Sequence, residues 1–171
     1  VSSNSSFNGG AICAYENADK VGPSCTIKDT TFDGNVSYSG GAISLRNQGA
    51  TKTEHILENI TLIENKGVNG AIYIYNNTKV TVSGLVATNN VSKSKGSVFY
   101  VTSSKAPTLV IKDAQISGNS DASGEINFVY IANKTAVVDI YMDEISGDDF
   151  IEAGITDTTD ITSAGWEKLI K

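Results

Sequence analysis

The chain has 171 residues, a formal net charge of −6 and a sequence pI near 4.7. This acidic balance argues against nucleic acid or an anionic membrane surface as a partner, because both require clustered Lys and Arg. No apolar run approaches the length that spans a bilayer, so we expect no membrane insertion. The chain holds 16 Gly, 15 Asn and 35 Ser plus Thr but only 2 Pro and 1 Met. Together with its many Ile and Val residues, this composition favours strands over helices.

A pattern of nine residues recurs along the chain and ends in Asn in four of its five copies. Each copy has an apolar residue at its first and sixth positions and, in most copies, a turn-forming Asp, Asn or Gly at its third. The starts of successive copies are 30, 25, 29 and 29 residues apart. Such self-similarity is typical of repeat architectures. The copies are Ile27–Asn35, Leu57–Asn65, Val82–Asn90, Ile111–Asn119 and Ile140–Asp148.

A glycine followed by a short apolar strand comes five or six residues after each repeated Asn. Asn4 precedes Gly10 in the same way, so the chain begins within a partial coil. A period of 25 to 30 residues, without the Leu-x-x-Leu-x-Leu frame of leucine-rich repeats, is typical of one turn of a parallel β-helix. The sequence therefore predicts one all-β domain over residues 1–171, a β-solenoid of about five to six coils with three short strands per coil.

Within this domain, residues 1–24 are predicted to form a partial first coil and a loop. Residues 25–139 are predicted to form the repeat coils, and residues 140–171 a degenerate coil with a C-terminal segment that could cap the solenoid.

The repeated Asn is predicted to face inward at a tight corner of each coil. Its side-chain amide can satisfy the backbone of the turn and bond to the Asn of the next coil. The apolar residue three positions earlier, such as Phe32, fills the interior, and glycine at the following corner suits a positive φ or a close backbone approach. The predicted structural ladder consists of Asn4, Asn35, Asn65, Asn90 and Asn119.

The motifs Phe32-Asp-Gly-Asn35 and Gly40-Gly-Ala-Ile43 resemble the paired Phe-x-x-Asn and Gly-Gly-Ala-Ile signatures of chlamydial polymorphic outer-membrane proteins. The resemblance extends over residues 4–131, although Leu62 replaces Phe in the second copy and later coils keep only one Gly. It implies a right-handed β-helix that is displayed outside the cell and serves in adhesion or as a stalk.

Period-two alternation along the short strands predicts an outward stripe of side chains. If Ile72 and Ile74 point inward, their neighbours point outward, and alignment of the later glycine blocks places Tyr100 inside. Exposed aromatic residues favour a contact surface for a protein or a sugar. The alternative is that an inserted loop at residues 102–107 covers them. The predicted contact surface comprises Tyr15, Tyr73, Tyr75, Phe99 and Val129.

The chain contains six Asn-x-Ser/Thr sequons. Those at Asn4, Asn35 and Asn90 belong to the predicted ladder, where a sugar would not fit. The remaining three are predicted at exposed turns and are the candidates for glycosylation. These candidates are Asn59, Asn76 and Asn133.

The two cysteines, Cys13 and Cys25, flank a polar stretch. They could form one disulfide that closes a surface loop, as in secreted proteins, or remain free thiols. Neither lies in a Cys-x-x-Cys spacing and the chain has only one His, which does not fit a zinc site. We expect no metal and no cofactor.

Many β-helices cleave acidic polysaccharides, so an enzyme is the alternative reading. A lyase needs cations to hold uronate carboxylates, and Arg46 is the only Arg; a hydrolase needs two positioned carboxylates. The acidic residues cluster near the C-terminus and are interpreted as a solvated face or a weak Ca²⁺ site. His55 is interpreted as a surface residue. The C-terminal acidic cluster contains Asp143, Glu144, Asp148 and Asp149.

The sequence favours a non-catalytic extracellular or cell-surface β-solenoid, structural or adhesive, over a polysaccharide lyase or hydrolase. An end coil exposes unpaired backbone groups, and Trp166, Leu169 and Ile170 stand at helical spacing in the tail. These features suit head-to-tail stacking into filaments. The expected partners are further copies, neighbouring repeats of a longer chain, or a cell-surface or carbohydrate ligand.

Overall fold

The computed structural model describes residues 1–17, 23–102, 105, 107–124, 128–132, 137–140 and 145–146. Within these residues the chain forms sixteen strands, β1 to β16, in three sheets in which every pairing is parallel. Each turn of the chain contributes one strand to each sheet in the same order, which makes a β-solenoid. The all-β class and the three strands per coil predicted from the sequence are confirmed.

The three sheets are named here by a feature of each. The short-strand sheet contains β1 (Ser5–Ser6), β4 (Val36–Ser37), β7 (Lys66–Gly67), β10 (Val91–Ser92) and β13 (Ser120–Asp121). The tyrosine sheet contains β2 (Ile12–Glu16), β5 (Ile43–Asn47), β8 (Ile72–Asn76), β11 (Phe99–Thr102) and β14 (Val129–Ile131). The long-strand sheet contains β3 (Thr26–Asp33), β6 (Thr53–Ile63), β9 (Thr78–Thr88), β12 (Thr108–Ser117), β15 (Val137–Ile140) and β16 (Ile145–Ser146), of which β16 pairs with β12. The five stacked layers correspond to about four full turns, which is roughly consistent with the predicted five to six coils.

The interior is a stack of apolar columns that run along the solenoid axis. The sixth position of the repeat forms one such column, in which Phe32, Leu62, Ala87 and Ile116 pair in register and are 0–1% exposed. Burying one side chain of this size stabilises the fold by about 1.5–3 kcal/mol. Since each layer covers the one below it, stability comes mainly from contacts between neighbouring coils.

The long strands bend at the third position of the repeat. Asp29, Asn59, Gly84 and Asp113 occupy this position and have φ values of 49°, 52°, 63° and 50°. This left-handed conformation favours Gly, Asn and Asp over other residues. The turn formers at this position therefore mark a bend that stacks from coil to coil within one sheet. At this bend the alternation of inward and outward side chains is interrupted.

The ladder asparagines form a hydrogen-bonded column at the corner between the long-strand and short-strand sheets. In each layer, Nδ2 donates to Oδ1 of the next Asn at 2.9 Å for Asn4, 2.9 Å for Asn35, 3.0 Å for Asn65 and 2.8 Å for Asn90. The backbone N–H of each of these four residues donates to the same oxygen. The column is buried from Asn35 to Asn119, at 0–1% exposed.

The ladder amides also hold the backbone of the preceding coil. The second Nδ2 hydrogen of Asn65 donates to the Phe32 carbonyl at 3.0 Å, and that of Asn90 donates to the Leu62 carbonyl at 2.9 Å. The residue before each ladder Asn has a positive φ, which turns the chain sharply into the corner. These residues are Ser3, Gly34, Glu64, Asn89 and Gly118.

Candidate functional site

The outer face of the tyrosine sheet carries most of the aromatic residues that reach the solvent. Ser44, Tyr73, Tyr100 and Tyr130 pair in register down one outward column. A second outward column joins Tyr15 to Arg46 and Arg46 to Tyr75. We call this surface the tyrosine face. It consists of Tyr15, Arg46, Tyr73, Tyr75, Tyr100 and Tyr130.

The tyrosine rings of this face contact one another both along β8 and along the solenoid axis. Ring centroids are 6.0 Å apart for Tyr73 and Tyr75, 5.9 Å for Tyr73 and Tyr100, and 5.1 Å for Tyr100 and Tyr130. Tyr73 and Tyr75 share one strand, whereas the other two pairs lie on neighbouring strands. Such ring pairs contribute about 0.5–1.5 kcal/mol beyond their buried area. The result is a continuous aromatic strip across three coils.

Arg46 is the cation at the centre of the tyrosine face. Its guanidinium carbon lies 5.4 Å from the ring centroid of Tyr15, 5.3 Å from that of Tyr75 and 5.9 Å from that of Tyr73. One terminal nitrogen donates to Asn8 Oδ1 at 3.0 Å, whereas the buried Nε has no hydrogen-bond partner. Cation–π contact of this kind positions the charge without neutralising it.

Burial differs strongly within the tyrosine face. Tyr15 is 46% exposed, whereas Tyr73 is only 8% exposed. Burial raises the pKa of Tyr73 to about 12, and burial also raises the pKa of Tyr100. These phenols therefore stay neutral at physiological pH. Tyr15, with the half-buried Tyr75, Tyr100 and Tyr130, supplies the accessible part of the face.

The prediction that Phe99 and Val129 face outward is wrong, since they are 0% and 2% exposed. Phe99 pairs with Ile72 and Val129 pairs with Phe99, so both belong to an interior column, while Tyr100, predicted inside, points outward. The residue type, tyrosine, indicates which side chains point outward. The distance of a residue from the preceding corner glycine does not.

The physical reason is one extra residue at the corner of the fourth coil. Between the earlier coils, the N–H groups of Ala42 and Ile43 share the Ala71 carbonyl. Ala71 and Ile72, in contrast, donate to separate carbonyls of Ser97 and Val98 in the next coil. The extra residue shifts the alternation by one, and a shift by one moves every following side chain to the other face.

The three predicted glycosylation sites have different outcomes. Asn59 is exposed at the bend of the long-strand sheet, where its Nδ2 donates to Asp29 Oδ1 at 3.0 Å. Asn76 is wrong as a candidate because it is only 6% exposed. It lies at the end of β8 in register with Asn47, in a second inward polar column. Asn133 lies outside the described residues.

The second inward polar column begins with Glu16, which pairs in register with Asn47. Glu16 is 4% exposed, and its Oε2 accepts a hydrogen bond from the Thr53 hydroxyl at 3.3 Å. Asn47 Nδ2 donates to the carbonyls of Thr51 and Asn77. These contacts fold the turn at residues 48–52 over the corner.

Both cysteines are free thiols in the structure, so the disulfide alternative is not realised. Cys13 is exposed, whereas Cys25 is partly buried against the core, and burial raises the pKa of the Cys25 thiol. The interpretation of His55 as a surface residue is wrong. His55 is 2% exposed, and its Nδ1 accepts the Cys25 backbone N–H at 3.2 Å.

The acidic residues do not converge on one site within the part of the chain that the structure describes. The four residues of the C-terminal acidic cluster, Asp143, Glu144, Asp148 and Asp149, lie outside the described residues. Across the described ranges, no three His, Cys, Asp or Glu side chains are close enough together to hold a metal ion. The same residues include no helix of sufficient length and apolarity to span a bilayer.

The fold and its asparagine column define a parallel β-solenoid built from short repeats. Residues 29–46 match the model of the Chlamydia polymorphic membrane protein repeat, and this stretch contains both Phe32–Asn35 and Gly40–Ile43. This stretch is therefore similar to a repeat of the polymorphic membrane protein type, which fits the resemblance that the motifs predicted. No curated protein and no solved structure matches the chain significantly.

Burial of His55 predicts a pH-dependent stability. Desolvation lowers the pKa of His55 from 6.5 to about 4, so the unfolded chain binds this proton more tightly. Stability is fully present above about pH 6.5 and falls as the pH drops toward about 4, by up to about 3 kcal/mol. Urea unfolding of the wild type and His55→Gln across this range measures the effect. We expect the difference between their free energies of unfolding to change with pH; parallel curves would contradict the assignment.

Proposed function

We propose that this chain is a non-catalytic, extracellular β-solenoid that serves as a structural and adhesive element of a cell surface. The interior of the described coils is filled by apolar side chains and polar ladders, which leaves the edges and outer faces for interaction. The repeat at residues 29–46 matches a repeat that is named for membrane proteins, which supports a location at the cell surface.

The observation that carries the structural role is the hydrogen bonding of the ladder at the first described coil. Inside the ladder, each Oδ1 accepts two hydrogen bonds from the preceding Asn, as Asn35 Oδ1 does from Asn4. Asn4 Oδ1 receives no donor from the described residues. A further coil with an Asn at the equivalent position would complete the ladder by the same geometry.

Apolar side chains at this edge also lack a covering layer. Ile12 and Ile27 are only partly buried although they contact the core, and Val1 and Phe7 are 58% and 70% exposed. An uncovered strand edge with apolar neighbours is a template for association. We propose that a further coil covers it, either from a neighbouring repeat of a longer chain or from a second copy in a head-to-tail contact that repeats without closing.

The stacking proposal predicts that a charge at the open edge prevents self-association. Ile12→Lys places an ammonium group where another coil would bury it, and a buried unpaired charge is strongly unfavourable. Ile56→Lys is the matched control, because Ile56 is 45% exposed on the outer face of the second layer of the long-strand sheet, where another coil would not bury it. Sedimentation velocity over a range of concentrations should show growing oligomers for the wild type and the control, and a monomer for Ile12→Lys. A monomeric wild type at every concentration, or an Ile12→Lys chain that still associates, would refute the stacking of separate copies through this edge.

The adhesive role is proposed for the tyrosine face. Its rings and Arg46 form a layer that offers apolar area, phenol hydroxyls and one positive charge to a protein or a sugar. Tyr15 and Tyr75 hold Arg46 from two neighbouring coils and are accessible, whereas Tyr73 is nearly covered. Contact energy should therefore concentrate on Tyr15, Tyr75 and Arg46.

Replacing Tyr15 and Tyr75 together by Ser should weaken adhesion without unfolding the chain. Beads coated with each variant, retained under flow on a layer of cultured animal cells, provide the measurement. The wild type and Ile56→Ser should be retained, and retention of the double variant should fall by about tenfold, since two lost aromatic contacts exceed about 1.4 kcal/mol. Equal retention of all three chains would contradict an adhesive role of this face.

The enzyme alternative is disfavoured by where the buried carboxylates lie. Glu16 and Asp121 are 4% and 7% exposed and belong to the first and fifth layers of different sheets. Four strand spacings separate them by about 19 Å along the axis. Glycoside hydrolysis needs two carboxyl groups about 5–9.5 Å apart. This separation supports a non-catalytic role for the described coils.

A further inference from the structure

A groove with a volume of about 360 Å³ runs along the outer face of the short-strand sheet. One wall is the outward column Val36, Lys66 and Val91, which pair in register. The opposite wall is formed two residues later in each coil, by Tyr38, Val68 and Lys93. The inward-turned Ser37 and Gly67 form the floor between them. This groove is separate from both the tyrosine face and the ladder.

The two lysines give the groove a positive charge in a protein whose net charge is −6. Lys66 and Lys93 are exposed on opposite walls, and neither is ion-paired with any described residue. By contrast, Lys28 and Lys79 on the long-strand sheet contact Glu58 and Glu54 at 2.6 and 3.1 Å. No carboxylate is among the described residues that line the groove. The charge is therefore available for an anionic ligand.

The remaining walls are apolar and aromatic. Tyr38 is 56% exposed and stacks on Phe7 with ring centroids 5.0 Å apart and an interplanar angle of 2°. Val36 is 44% exposed and adds aliphatic surface beside the groove floor. Flat aromatic and aliphatic surface next to hydroxyl groups suits the C–H face and hydroxyls of a pyranose ring.

The geometry favours a glycan over an acidic peptide. An extended peptide gains affinity by adding to a sheet edge through main-chain hydrogen bonds. The groove lies on a sheet face, where the N–H groups of Val68 and Lys93 already donate to the neighbouring coil. A ligand in the groove can therefore contact side chains but cannot pair with the main chain. The lining spans four layers, or about 14 Å, which accommodates a short oligosaccharide laid along the axis.

We propose that this groove binds an acidic glycan chain, with Lys66 and Lys93 holding uronate-type carboxylates and Tyr38 stacking on a sugar ring. This site goes beyond the proposed structural and adhesive role. It does not depend on head-to-tail stacking, because a monomer presents the same groove. Loss of stacking and loss of glycan binding are therefore distinguishable outcomes.

Isothermal titration calorimetry with trigalacturonate as the probe tests the proposal. Binding should weaken by about tenfold or more in the double variant Lys66→Gln/Lys93→Gln, since the variant loses both charge-assisted hydrogen bonds to the carboxylates. Lys28→Gln/Lys79→Gln is the matched control, because it changes the net charge equally at paired lysines elsewhere and should leave the affinity unchanged. Maltotriose, which is neutral, should bind at least about tenfold more weakly than trigalacturonate.

Amide shift mapping of the wild-type chain provides a readout that requires no variant. Trigalacturonate should perturb Val36, Val68 and Val91 more than residues of the tyrosine face. The proposal is overturned by the absence of trigalacturonate binding at millimolar concentration, by equal weakening in both double variants, or by shifts confined to the tyrosine face. Tighter binding of a tri-glutamate peptide than of trigalacturonate would likewise overturn it in favour of an acidic protein partner.

Discussion

One interaction, the side-chain amide of an asparagine bonded to the asparagine of the next coil, holds the turns of this solenoid in register. Each internal ladder residue donates along the axis at 2.8–3.0 Å, and the acceptor oxygen also receives the backbone N–H of the same donor residue. The remaining amide hydrogen closes the corner of the coil before. Because these groups are buried, leaving one unpaired would cost about 1–3 kcal/mol.

The ladder explains how repeats of unequal length form coils with a constant spacing. Consecutive ladder residues are 31, 30, 25 and 29 positions apart, yet their amide distances vary by only 0.2 Å. Differences in length are therefore absorbed at other corners. The chain can vary its outer faces, where the tyrosine face and the lysine groove lie, while the spacing of the coils stays fixed.

Much of the fold could be predicted from the sequence because each position of the repeat has the same structural role in every coil. Only a few residue types fit each role. Phe32 and its equivalents had to be apolar to fill the interior, and the Asp, Asn or Gly of the third position had to accept a positive φ. The site was harder to predict. A single extra residue before Phe99 exchanged the inner and outer faces of β11, and no composition rule shows where a corner absorbs an insertion.

The exposure of two polar residues was predicted wrongly for a related reason. His55 and Asn76 are polar side chains in short, polar stretches, which usually indicate exposure. Both are buried because a neighbouring coil, 25–30 residues away in the sequence, supplies their partners or covers them. Local sequence does not contain this information, since it depends on the register between coils.

The most direct test of the account is the stability of Asn65→Ala measured by urea unfolding. The change removes the side-chain donor to Asn90 Oδ1 and to the Phe32 carbonyl, although the backbone N–H of residue 65 still reaches Asn90 Oδ1. It also leaves the backbone N–H and the Nδ2 of Asn35 without their shared acceptor. We expect a loss of about 3–5 kcal/mol. Asn69→Ala is the matched control, because the Asn69 side chain accepts one long bond of 3.3 Å from the Ser94 hydroxyl. This change should cost less than about 1 kcal/mol. Equal stabilities of the two variants would contradict the claim that the asparagine ladder holds the solenoid together.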